Sequence, residues 1–286
     1  MIDLHAHLAP SLPAGVHEPR VPPQLSQPGA LREHLDRLGL EHAVVSIPPP
    51  FYRQDLAGDE AASWVATVND GLAQLVADEP QFSAFAYLPL EHPSLARREV
   101  ERVDGRGFVG FTAAAGGRSA SLADPELEPV WHALDERGAA QLLHPGASPN
   151  PRLEPIYLGN LLGNPFETTL AAAQLIFGDV PARFPRIKVV LAHGGGAVAA
   201  LAGRWQRGVD TDRPGLRELT EDPLTAVKRF YVDSITHHPE VTDLVRRVLG
   251  PDRIVFGSDW PFPMGSANGV EFAANAAAVL EPLDHA

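Results

Sequence analysis

Eight short runs rich in apolar and β-branched residues recur along the chain, and a stretch with helical spacing follows each of them. The strands are expected at 2–7, 43–47, 82–87, 107–112, 140–144, 187–193, 230–233 and 254–257. The helices are expected at about 28–39, 58–78, 93–103, 125–137, 166–177, from about 197, at 239–249 and at about 269–280. In the first helix, for example, Leu31, Leu35 and Leu38 share one face and Gly39 ends the run. Regular alternation of strand and helix implies parallel strands joined by right-handed crossovers. Eight such units close on themselves, so the expected fold is a single (β/α)8 barrel. No linker, internal repeat or break in composition divides the 286 residues, and 1–286 is therefore read as one domain.

The ends of these strands carry the chemistry. His5 and His7 stand two apart in the first strand, so their side chains point to one face. Leu142-Leu143-His144, Val190-Leu191-Ala192-His193 and Phe256-Gly257-Ser258-Asp259 are each apolar runs that end in a metal-competent side chain followed by turn residues. In a barrel these five residues meet at the C-terminal face of strands 1, 5, 6 and 8, where barrel enzymes place their active sites. Imidazoles with one carboxylate suit a divalent metal that acts as a Lewis acid, zinc best by ligand softness, with Mn2+ or Fe2+ as alternatives. His17, His34, His42, His92, His132 and His285 fall outside this pattern and are read as surface or satisfied core residues.

Composition narrows the chemistry further. The chain has no cysteine, which removes disulfides, thiolate nucleophiles and thiolate metal sites. A net charge of −13 without a basic stripe argues against nucleic acid, and no apolar run reaches the length of a membrane span. Met1 is followed directly by strand-like residues, so the cytoplasm is the expected compartment. Lys188 and Lys228 are the only lysines; Lys188 begins strand 6 and Lys228 precedes strand 7, both at the N-terminal end, and no lysine or glutamate stands at the end of strand 4 to bridge a second ion. One metal per chain is expected, which leaves His193 free as an acid/base.

At these residues the sequence resembles the amidohydrolase superfamily, and within it the branch typified by aminocarboxymuconate semialdehyde decarboxylase. The resemblance is densest in Asn164–Leu170, Arg183–Gly196, Phe230–Pro239 and Gly257–Pro263. It implies that His5, His7, His144 and Asp259 are the metal ligands and that His193 is the catalytic histidine beside them. It places Arg204 where the family has an arginine that reaches a neighbouring subunit's substrate, which implies a homodimer. Arg20 and Arg53 are the candidates for a second substrate arginine, since the loop after strand 1 is shorter than in that decarboxylase. His237 matches a family histidine with a structural or a pocket role. Gly146 replaces a tryptophan of the decarboxylase, so the pocket floor differs. Glu167 and Thr168 are expected to cap the fifth helix.

The function expected from these features is non-oxidative decarboxylation of a small unsaturated or aromatic carboxylate, with Asp259 both ligand and proton carrier. Hydrolysis of a small amide, lactone or imine is the alternative, and a non-catalytic metal-binding scaffold is the second. The eleven residues from His193 to Arg204, taken as helix, would carry that arginine about 16 Å from the centre, so it is expected to face outward.

Overall fold

A computed structural model describes residues 1–280 apart from 17–18, 119–120 and 147. His17 and His285 therefore lie outside the described residues. The eight strands are β1 (Ile2–His7), β2 (His42–Ser46), β3 (Phe82–Tyr87), β4 (Phe108–Ala114), β5 (Ala140–His144), β6 (Lys188–Leu191), β7 (Tyr231–Asp233) and β8 (Ile254–Val255). They form one sheet in sequence order, each parallel to the next. Beyond β8, hydrogen bonds from Leu4 N to Phe256 O and from His7 N to Trp260 O, both 2.9 Å, bring the last strand back to the first. The helices are α1 (Pro28–Leu38), α2 (Gly58–Ala77), α3 (Pro93–Arg102), α4 (Glu128–Glu136), α5 (Asn164–Phe177), α6 (Val180–Arg183), α7 (Val198–Asp210), α8 (Pro223–Ala226), α9 (Pro239–Leu249) and α10 (Ala276–Leu280). The expected barrel is the fold. Among the described residues no helix is long and apolar enough to cross a membrane.

Apolar residues from six of the strands fill the barrel. Leu4, Val44, Phe85, Leu142, Val190 and Val255 pack together in the interior, each worth roughly 1.5–3 kcal/mol when fully buried. The register of β1 against β2 shifts between Asp3 and Ala6. That irregularity lets Leu4 join the interior cluster while His5, the next residue, still serves the strand-end centre.

The ends of the elements depart from expectation where the backbone turns early. β6 stops at Leu191, short of His193, because His193, Gly194, Gly195 and Gly196 all have positive φ, 56°, 62°, 74° and 61°. A Cβ on Gly196 would lie 2.3 Å from the Pro165 carbonyl oxygen, so that position admits only glycine. α7 consequently begins at Val198, and the run from His193 to Arg204 is a tight turn followed by helix, not helix throughout. α5 starts at Asn164, with Pro165 in its first turn, where a missing N–H costs nothing.

Candidate metal centre

Four side chains converge at the C-terminal ends of β1, β5 and β8: His5, His7, His144 and Asp259, each with a ligand atom within 4.8 Å of the others. All four are buried. What selects the converging atom is the partner of the other ring nitrogen. His5 Nδ1–H donates to the Asp233 carboxylate at 2.8 Å. His7 Nδ1 lies 3.2 Å from the Ile47 carbonyl, and His144 Nδ1 lies 3.1 Å from the Pro145 carbonyl. A carboxylate and two carbonyls can only accept, and the Ser46 hydroxyl, 3.1 Å from His7 Nδ1, can accept as well, so these partners favour a proton on each Nδ1 and turn the lone pair of Nε2 inward.

The inward atoms fit a divalent cation. His5 Nε2 and His7 Nε2 are 3.1 Å apart, and Asp259 Oδ1 is 3.5, 3.2 and 3.9 Å from the Nε2 atoms of His5, His7 and His144. Tetrahedral ligands about 2.0–2.2 Å from one ion lie about 3.3–3.6 Å from each other. His144 Nε2 and Asp259 Oδ1 are buried and have no hydrogen-bond partner, a costly arrangement unless a cation takes both. The local field points the same way. Burial works against a charged His5, yet the Asp233 hydrogen bond and the charges of Asp259, Asp233 and Asp3 raise its pKa. Burial, and then the neighbouring imidazoles of His5, His7 and His193, hold His144 well below the usual histidine range, so its nitrogen is free to ligate. Burial also opposes charge on Asp259, but His193, His7 and His5 hold its pKa well below the usual carboxylate range.

Asp259 is fixed from two sides. Its N–H donates to the His5 carbonyl at 2.8 Å. The preceding Ser258 donates both N–H, at 3.0 Å, and hydroxyl, at 2.5 Å, to Asp3. Burial pushes the Asp3 carboxyl up to about 6 despite those hydrogen bonds.

His193 stands beside the four without joining them. Its Nε2 is 3.6 Å from Asp259 Oδ2, the oxygen that does not face the three histidines most closely. Its ring is 5.1 Å from that of His144. A cavity of about 350 Å³ opens over His193 and Asp259, lined by Asn160, Leu161, Asn164, Ile235, His237 and Met264 among others. His237, expected in a structural or a pocket role, lines this cavity. Nothing in its sequence motif set Asn164 apart as a cavity residue.

The arginines are elsewhere in the described chain. Arg204 is exposed on α7, and Arg20 is exposed in the loop after β1. Arg53 forks onto the Asp55 carboxylate at 2.8 and 2.7 Å and lies over the Trp64 ring. None of the three lines the cavity. The expected cap on α5 is corrected. Glu167 is buried and accepts the Gly117 N–H at 3.0 Å, tying the loop after β4 to α5. Thr168 bonds the Asn164 carbonyl one turn back within the helix. Three other histidines have ordinary partners: His42 meets Ser83 at 2.8 Å, His92 meets the Leu56 carbonyl at 2.9 Å, and His132 packs edge-on to Phe184. His34 lies near the Trp260 ring, and burial and Arg37 lower its pKa.

Relatives share this architecture. A 2-amino-3-carboxymuconate-6-semialdehyde decarboxylase of Dictyostelium discoideum is 30% identical over 238 residues, which span 82% of this chain and 66% of the relative. The chain thus matches just under two thirds of that relative's length. The solved 5-carboxyvanillate decarboxylase of Sphingomonas paucimobilis superposes with a TM-score of 0.83 at 23% identity, covering 98% of each chain. A dihydroxybenzoic acid decarboxylase of Polaromonas sp. JS666, solved with bound manganese and the inhibitor 2-nitroresorcinol, gives a TM-score of 0.80 at 22% identity over 98% of this chain and 96% of that one. The resemblance read from the strand-end motifs extends over almost every residue: the amidohydrolase family model matches 2–285, and the chain belongs to that family.

Proposed function

We propose that this chain is a metal-dependent non-oxidative decarboxylase of a small aromatic or unsaturated carboxylic acid. The observation that carries the reading is the pairing of four converging ligand atoms with a histidine left free at the rim of the same cavity. The decarboxylase activities named for its relatives support it. His5, His7, His144 and Asp259 would hold the ion, and a divalent metal there supplies Lewis acidity toward a substrate oxygen. Zinc matches the three-nitrogen, one-carboxylate donor set, and manganese is the ion in the Polaromonas relative.

The residues of the chain then divide the work. Leu161, Ile235, Val241 and Met264 give an apolar wall for a planar ring, while Asn160, Asn164 and His237 offer polar groups to its substituents. His193 delivers a proton to the carbon that bears the carboxylate. The bond between that carbon and the carboxylate breaks, its electrons restore the ring, and carbon dioxide leaves. The proton stays on the product, so His193 must take a fresh one from solvent, and Asp259 Oδ2, 3.6 Å from His193 Nε2, is placed to relay it. The test is a panel of hydroxylated benzoates and carboxymuconates assayed for carbon dioxide. Stoichiometric release with a ring-protonated product is expected; ring-opened or hydrolysed acid without carbon dioxide would assign the same centre to hydrolysis instead.

The substrate carboxylate is proposed to meet Arg204 of a second copy in a cytoplasmic homodimer, with Arg20 completing the grip. Arg53 is the weaker candidate, since it must first leave Asp55. Exposed Ile156, Tyr157, Leu161, Leu162, Phe166 and Leu170 form apolar surface beside the cavity, which favours self-association. Mixing Arg204→Ala with His193→Ala, each inactive alone, is expected to restore part of the activity, because a mixed dimer has one site with both residues. No recovery after confirmed subunit exchange would refute the shared site.

A further inference from the structure

We propose that Asp233, at the end of β7, is a positioning residue that sets the tautomer of His5 and the backbone of His193 together; this rests on the metal-centre reading above. Asp233 is fully buried and accepts four hydrogen bonds. Oδ2 takes His5 Nδ1–H and His193 N–H, each at 2.8 Å, and Oδ1 takes Gly194 N–H at 2.7 Å and Ile235 N–H at 3.0 Å. Only an ionised carboxylate presents acceptors on both atoms to four donors. Burial opposes its charge, but His5, His193 and the Gly194 N–H hold its pKa below the usual value.

Two consequences follow from one group. A partner that cannot donate keeps the His5 proton on Nδ1, which leaves the Nε2 lone pair facing His7 Nε2 at 3.1 Å. The same carboxylate closes the left-handed turn at His193 and Gly194, φ 56° and 62°, whose successive N–H groups point to one side. A left-handed residue other than glycine is uncommon, and the Asp233 carboxylate gives the two N–H groups of this turn their acceptor. Asp233 thus joins a residue of β1 to the loop after β6, and neither is placed independently of the other. Gly257 leaves room for this: a Cβ there would lie 2.7 Å from the His5 Cβ and 2.9 Å from the Asp233 Cβ.

Asp233→Asn keeps the shape and spoils the pattern whichever way the amide lies. With its NH2 toward His5, the ring must accept at Nδ1 and carry its proton on Nε2, the atom offered to the metal. With its NH2 toward Gly194 and Ile235, two donors face two donors and the His193 turn loosens. The experiment titrates metal-free parent and variant with Co2+ against a competing chelator, and reads histidine tautomers by long-range 1H–15N correlation, His5 being assigned by its absence in His5→Gln. Thermal unfolding of both chains checks that the variant is folded. We expect affinity for Co2+ to fall about 10–100-fold, kcat at saturating metal to fall more than KM changes, and the parent His5 to be protonated at Nδ1. A folded variant with parental cobalt affinity and kcat overturns the proposal, and so does an Nε2-protonated His5 in the parent, which is readable even if the variant fails to fold. A parent that takes up no Co2+ would instead refute the metal-centre reading, with the tautomer still deciding on Asp233.

Discussion

Replacing His193 by alanine is expected to leave metal content at the parental level and to cut turnover by about 10²–10⁴-fold, the usual contribution of a positioned acid/base. The expectation comes from geometry. His193 Nε2 looks at Asp259 Oδ2, whereas the three histidines of the cluster look at Oδ1 at 3.2 to 3.9 Å. One carboxylate thus faces the cluster with one oxygen and the free histidine with the other. The backbone at His193 is left-handed, φ 56°, so alanine adds a small conformational penalty. His193→Asn is the matched control, since asparagine tolerates that region better. Both variants should retain metal by elemental analysis and lose turnover alike. Metal lost from both would make His193 a ligand, and turnover within tenfold of the parent would remove it from proton transfer.

The barrel and the centre of this site were legible for a physical reason. Barrel strands are buried on both faces, so they appear as short apolar runs, and the residue that ends each run stands at the catalytic face. His5, His7, His144 and Asp259 are such residues, and they meet. What the sequence hid depends on long-range contacts. Asp233 also ends a strand, in Phe230-Tyr231-Val232-Asp233, and that position was the available signal. Its role is visible only once β7 lies between β6 and β8, with His5 across the barrel mouth. Glu167 looked like a helix-terminal acid by position, yet its partner is Gly117, fifty residues away. The premature end of β6 was hidden for another reason. Val190 to Ala192 has strand propensity up to the glycine turn, and the carboxylate that holds the turn at His193 comes from elsewhere in the chain.

Asp259→Ala is expected to have the largest combined effect, with loss of both the metal and the reaction. The parent should hold about one divalent ion per chain, because one set of converging donors exists among the described residues. Elemental analysis of the purified chain also separates zinc from manganese. Removing Asp259 deletes the only anionic member of that set and leaves three buried imidazoles with converging lone pairs. Loss of an outer hydrogen-bond partner already costs about 10–100-fold in metal affinity, and a direct carboxylate ligand should cost more than that upper figure. Asp259→Asn is the informative companion. It keeps the volume and an oxygen, but it surrenders the negative charge that His193, His7 and His5 hold in place. Asparagine is therefore expected to retain part of the metal at high concentration, yet to fall with alanine in turnover, because an amide cannot pass a proton to His193. Chelator competition measures the first effect and carbon dioxide release the second. An alanine variant with parental metal affinity would show that Asp259 is not a ligand. An asparagine variant with parental turnover would confine the residue to ligation and leave the proton path to His193 alone.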